Sequence, residues 1–171
     1  IKAAMEGLLA PTLVERVYAN RFSLPQKSAI MLLNGRGHTV RGPLIAVKPP
    51  EDEHFIEIVR WKELSPVEVG DGAGVGLRLR RGDVACILQL PRRLSPEAAG
   101  EALRVSVAGE TQGLRVVLVD ENGETLREEP AAASVEISLA DPQAGEPTHT
   151  GPPWRVKLMG EKYLVDAAVL E

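Results

Sequence analysis

A single cysteine, Cys86, excludes an internal disulfide. It falls in the apolar phase of Val84, Cys86 and Leu88 and is expected to be a core thiol rather than a nucleophile. One thiol does not separate a cytoplasmic protein from an exported one. Histidine is scarce too: His38, His54 and His149 are all there are. Each lies in or beside an expected turn, and no G-x-S-x-G stretch accompanies them. A nucleophilic triad is therefore not expected, and the three read as surface histidines. Together with Cys86 they lack the spacing of metal ligands. No run approaches the roughly 18 apolar residues of a membrane helix, so no membrane partner is expected. A basic surplus is missing as well. Net charge is -4 and the pI about 5.5, which disfavours nucleic acid, because phosphate binding needs a basic stripe.

Aromatic residues are few: two Trp, two Tyr and two Phe. Sugar-binding β-sandwiches commonly stack a sugar on an exposed aromatic face. Tyr18, Phe22 and Phe55 read as core. Trp61 at a strand end and Trp154 after Gly151-Pro152-Pro153 are the candidate ligand-binding platforms, with packing in a core or interface the alternative for each. Glu57, Glu68, Glu136 and Asp166 alternate along expected strands and read as solvated faces, not as a glycoside-cleaving pair. Asp166, between Val165 and Ala167, reads as a paired edge charge that blocks strand addition. Asp120, Asn122 and Glu124 share one turn, but no twelve-residue calcium loop ends in Glu. Gly70 to Gly74 lacks the following helix and Lys-Ser/Thr of a phosphate loop and reads as a turn. No catalytic residue, metal or cofactor is expected.

What is present is β-pattern. The 171 residues, 44% hydrophobic and 26% charged, suit one large or two small packed β domains. Ala29-Ile30-Met31-Leu32-Leu33 is apolar throughout, which predicts a strand covered on both faces. Asn34 to His38 turns it back, and Val40 to Val47 completes a hairpin. Val14–Phe22, His54–Trp61, Val67–Val69, Val75–Leu79 and Ala85–Leu90 supply further strands, about seven by residue 90. Lys2–Leu9 is predicted to be a short helix ended by Pro11. The first residue, Ile1, and the absence of a leader pattern suggest a processed chain or a fragment.

Residues 92–102, rich in proline and charge, read as a linker, with Ser95-Pro96-Glu97 able to start a helical turn. Charge shifts at the same place. Residues 1–90 hold twelve Lys and Arg against ten Asp and Glu, a balance of +2; residues 91–171 hold eight against fourteen, a balance of -6. Beyond the linker, 103–171 reads as a smaller module of about six strands. Asn122-Gly123 is its clearest hairpin signal. Residues 141–153 read as a long loop.

One ordered set of residues resembles a known group. Tyr18-Ala19-Asn20-Arg21-Phe22, then Leu33-Asn34 with Thr39 to Leu44, then Glu57 to Trp61 with Glu63-Leu64, are similar to the C-terminal all-β accessory region of bacterial glycoside-hydrolase-like proteins. The similarity spans residues 14–90. Leu33 stands where the pattern has an aromatic, and Val59-Arg60 where it has an acidic residue and Leu. The second module resembles an immunoglobulin-type sandwich. The resemblance implies two consecutive antiparallel β-sandwich modules, noncatalytic, bracing an upstream catalytic domain of the same polypeptide in an extracellular or periplasmic setting. A polysaccharide is the further partner it implies. Alternatives are a carbohydrate-binding module and an immunoglobulin-like adhesion or assembly module.

Overall fold

The structure is a computed structural model and describes residues 8–24, 26–48, 51–99, 102–120, 122–139, 154–161 and 163–170. It is all-β, built of antiparallel sheets. The chain divides into two compact units, Ile1–Pro91 and Arg92–Glu171.

The N-terminal unit contains β1 (Leu8–Leu9), β2 (Val17–Leu24), β3 (Lys27–Asn34), β4 (Val40–Val47), β5 (Glu53–Glu57), β6 (Lys62–Leu64), β7 (Pro66–Val69), β8 (Gly72–Leu79) and β9 (Val84–Pro91). Six of them form one sheet in the order β1-β2-β3-β9-β5-β6, and three form another, β4-β8-β7. Alternation dictates what each strand buries. Ile30 and Leu32 of β3, Ala85 and Ile87 of β9 and Phe55 of β5 cluster with Val40, Leu44, Val75 and Leu79 of the smaller sheet. Burying so many branched side chains is the main stabilising term, about 25 cal/mol per Å² of apolar surface removed from water.

The C-terminal unit contains β10 (Leu94–Ala99), β11 (Ala102–Val107), β12 (Arg115–Val119), β13 (Thr125–Pro130), β14 (Ser134–Ser138), β15 (Trp154–Met159) and β16 (Leu164–Leu170). Its sheets run β10-β11-β14 and β13-β12-β15-β16. Leu103, Val105 and Ile137 of the first share a core with Val116, Leu118, Val156 and Leu158 of the second. Asn122-Gly123 lies in the turn from β12 to β13. Gly123 takes φ +88°, and Asp120 Oδ1 accepts the amides of Asn122 and Glu124.

Several expectations need correction. No helix is present among the described residues. Leu8 and Leu9 pair with Arg21 and Asn20 instead. Both are largely exposed, so no buried apolar face holds a helix there. Residues 2–7 lie outside the described residues, as does the whole of the predicted loop over 141–153. The stretch 92–102 is not an unstructured linker: β10 occupies it, and Pro96 pairs opposite Val105. Proline is tolerated because β10 is an edge strand, where its missing N–H costs no ladder bond. β3 is covered on one face only, since Met31 and Leu33 are 45% and 42% exposed.

Candidate functional site

Asn34 ends β3 and is 1% exposed. Its Nδ2 lies 2.9 Å from the carbonyl of His38, 3.1 Å from that of Leu79 and 2.9 Å from that of Arg80. Its Oδ1 accepts the amide of Arg36 at 2.9 Å. Its backbone exchanges bonds with Gly82 and Asp83. One buried amide thus joins the β3–β4 turn to the β8–β9 turn, and every polar atom of it is used. Gly35 follows because the ring of Tyr18 lies where a side chain would stand, 2.6 Å from an added Cβ.

Glu57 performs the same task at the end of β5. The residue is 1% exposed. Its oxygens accept the amides of Val59 at 3.1 Å and Arg60 at 2.8 Å. The Arg60 guanidinium lies 3.6 Å from Glu57 and 3.3 Å from Asp83. Asp83 in turn accepts the Arg80 amide at 2.9 Å. Glu57 is therefore a buried turn cap rather than a solvated strand carboxylate. The turn it holds ends at Trp61, whose φ of +50° is costly for a residue with a Cβ and needs such support.

These two corners flank a groove of about 940 Å³ in the N-terminal unit. Arg41, Arg60, Lys62, Arg78 and Arg80 line it together with Glu57, Glu63 and Asp83. Arg41 and Arg78 stand directly opposite each other across β4 and β8. Both are exposed, and no ion pair to either is present among the described residues. Like charges in that position oppose the fold rather than support it. The floor is stripped of side chains at Gly42 and Gly76, with Gly42 at φ +109° beside a break in register between Pro43 and Ile45. β7 pairs with β8 only from Gly72 to Val75, so among the described residues the edge of β8 from Gly76 onward has no neighbouring strand on that side.

A second surface feature is the outer face of the six-stranded sheet. Tyr18, Leu33 and Val84 form one row across β2, β3 and β9, and are 57%, 42% and 46% exposed. Asn20, Met31 and Cys86 form the next row, and Phe22, Ala29 and Leu88 the one after. Tyr18 is therefore a surface residue and Phe22 half-buried, not core. Cys86 belongs to this outer face, while Ala85 and Ile87 face the core. Partial burial pushes its thiol pKa up, and the nearby Glu57 carboxylate adds to the rise.

Trp61 is half-buried at the turn before β6 and does not line the groove. Trp154 opens β15 opposite Leu170. His38 is exposed. His54 is not a surface histidine: it is 4% exposed, with Nδ1 3.4 Å from Glu63 Oε1. His149 lies outside the described residues. Glu68 and Glu136 are exposed, as a solvated strand face requires. Asp166 stands on the edge strand β16, but it is fully buried and so is not an exposed charge that blocks strand addition. Its Oδ2 accepts the amides of Arg93 at 2.7 Å and Leu94 at 2.8 Å, fastening the start of β10. Among the described residues no three His, Cys, Asp or Glu side chains group as metal ligands.

The sequence reading missed Asn34, Glu57 and Asp166 as organisers and the groove entirely. The outward phase of Arg78 in β8, continued by Arg80 just after it, was the available signal for the groove. No protein-family model matches this chain, and no curated protein matches it.

Proposed function

We propose that the chain is a noncatalytic accessory region that braces the catalytic domain of a larger carbohydrate-active enzyme. Each unit is read as an antiparallel β-sandwich, supported by two sheets that share one core in each. The three- and four-stranded sheets of the C-terminal unit suit an immunoglobulin-like arrangement of seven strands.

The observation that carries this reading is the exposed apolar face of the six-stranded sheet. Tyr18, Met31, Leu33 and Val84 are neighbours on three paired strands, and each is more than 40% exposed. Apolar residues scattered singly on a surface need no explanation, but a contiguous apolar face marks an interaction surface. A row of exposed apolar side chains on a sheet suits a protein domain better than a small ligand, which favours a concave site. The residues that resemble the glycoside-hydrolase accessory region include Tyr18 of this face, while Leu33 departs from the pattern, and that resemblance supplies the partner: an upstream catalytic domain.

The test uses the polypeptide that carries this chain with its catalytic domain. Leu33→Asp with Val84→Asp is expected to lower the melting temperature of the catalytic domain in calorimetry, while the circular dichroism of the 171-residue chain stays unchanged. An unaltered melting temperature for the catalytic domain would count against the bracing role.

A further inference from the structure

We propose that the groove between β6 and the open edge of β8 binds a carboxylated oligosaccharide. The inference stands on residues outside the apolar face, so it and the bracing role fail separately.

Two cations of the groove, Arg41 and Arg78, gain no ion pair from the fold among the described residues. Arg41 and Arg78 face each other across a strand pair where like charges repel, and no carboxylate among the described residues neutralises either. Arg60 is different, since Glu57 and Asp83 already hold it. Each guanidinium is a planar fork that matches a carboxylate in bidentate geometry, and the two come from directly opposite residues of paired strands. An anion placed between them would relieve the repulsion.

The remaining lining narrows the ligand class. Glu63 and Asp83 line the same groove. They would repel a compact polyanion, but a carboxylate accepts hydrogen bonds from hydroxyl groups. Among the described strands, β7 leaves off at Val75, so the β8 backbone from Gly76 to Arg78 lies beside the groove with no β7 partner on that side. A ligand carrying both carboxylates and many hydroxyls satisfies all three features, and a uronic-acid oligomer is that ligand. A volume of about 940 Å³ accommodates a short oligomer. The glycines at 42 and 76 leave the floor open for a sugar ring to approach the backbone. Among the described residues no aromatic lines the groove, so recognition rests on charge and hydrogen bonds rather than stacking. An acidic peptide adding a strand is the less fitting occupant, because the open edge is short and flanked by arginines, which discourage strand addition.

Titration calorimetry of the whole chain tests this with four probes: a galacturonic acid hexamer, a neutral galactose hexamer, inorganic phosphate and a glutamate hexapeptide. The acidic hexamer is expected to bind at about 20 mM salt and to weaken strongly at about 500 mM. Arg41→Ala with Arg78→Ala is expected to weaken it about tenfold or more, and Arg78→Lys to weaken it less. If the double variant does not fold by circular dichroism, Arg78→Glu alone serves the same purpose. No heat from the acidic hexamer at low salt overturns the proposal. So does unchanged affinity in the arginine variants, or equal affinity for the neutral hexamer, phosphate or the peptide.

Discussion

The two units solve the same packing problem and leave different surfaces behind. In the C-terminal unit the alternation is clean. Leu103, Val105 and Val107 are buried while Arg104 and Ser106 are exposed, and Val135 and Ile137 are buried while Ser134, Glu136 and Ser138 are exposed. Charged neighbours there find partners, as Arg104 does with Glu136 and Arg115 with Glu128. The N-terminal unit is less economical. It exposes Tyr18, Met31, Leu33 and Val84 on one face and sets Arg41 against Arg78 in a groove. Neither feature follows from the requirements of a stable β-domain, and both are where a partner would be accommodated. The lesson is to look for function where a unit carries more apolar or charged surface than its own fold can use.

The buried polar groups differ in the same way, and they give the largest effects. Asp166→Ala should cost the C-terminal unit about 4 kcal/mol, because the amides of Arg93 and Leu94 lose a charged acceptor inside the protein. Asp166→Asn, which keeps an oxygen, should recover part of this. Urea unfolding followed by Trp154 fluorescence in a Trp61→Phe background measures both. Asn34→Ala should cost the N-terminal unit about 3 kcal/mol, since two turns lose their shared tie. Trp61 fluorescence in a Trp154→Phe background follows that unit. A loss well below 1 kcal/mol for Asn34→Ala would mean the corner does not depend on it.

Smaller effects sharpen the contrast. Glu57 raises the Cys86 thiol pKa beyond what burial does. The thiolate is the reactive form, so Glu57→Gln should speed iodoacetamide alkylation of Cys86 near pH 8 several-fold. An unchanged rate would remove Glu57 as a cause. Smallest of all, Arg78→Thr should leave stability unchanged or slightly raised, because it relieves the repulsion with Arg41. A clear loss of stability in thermal melts would show that the arginine serves the fold after all.

What could be read from the sequence was local. Leu103 to Val107 and Asn122-Gly123 carry their strand and turn signals within a few residues. The Asn34 side chain, by contrast, meets a carbonyl 45 residues away, and Asp166 meets an amide 72 residues away, so neither partner leaves a local trace. The apolar run Ala29–Leu33 reads as two-sided burial because composition cannot say whether a second layer covers it. Pro96 reads as a break because its position on an edge strand is a property of the sheet. The groove was hidden for a related reason. Arg78 is visible as an outward residue of β8, but its alignment with Arg41 and the proximity of Lys62 and Glu63 are products of topology.

The surplus of the N-terminal unit is tested most directly by removing its apolar face. Met31→Ser, Leu33→Ser and Val84→Ser combined in one chain should lower its unfolding free energy by no more than about 2 kcal/mol in urea titration, because each side chain already has more than 40% of its surface in water. A loss of several kcal/mol, comparable to Asn34→Ala, would show that this face belongs to the unit's own core and would contradict its assignment to a partner.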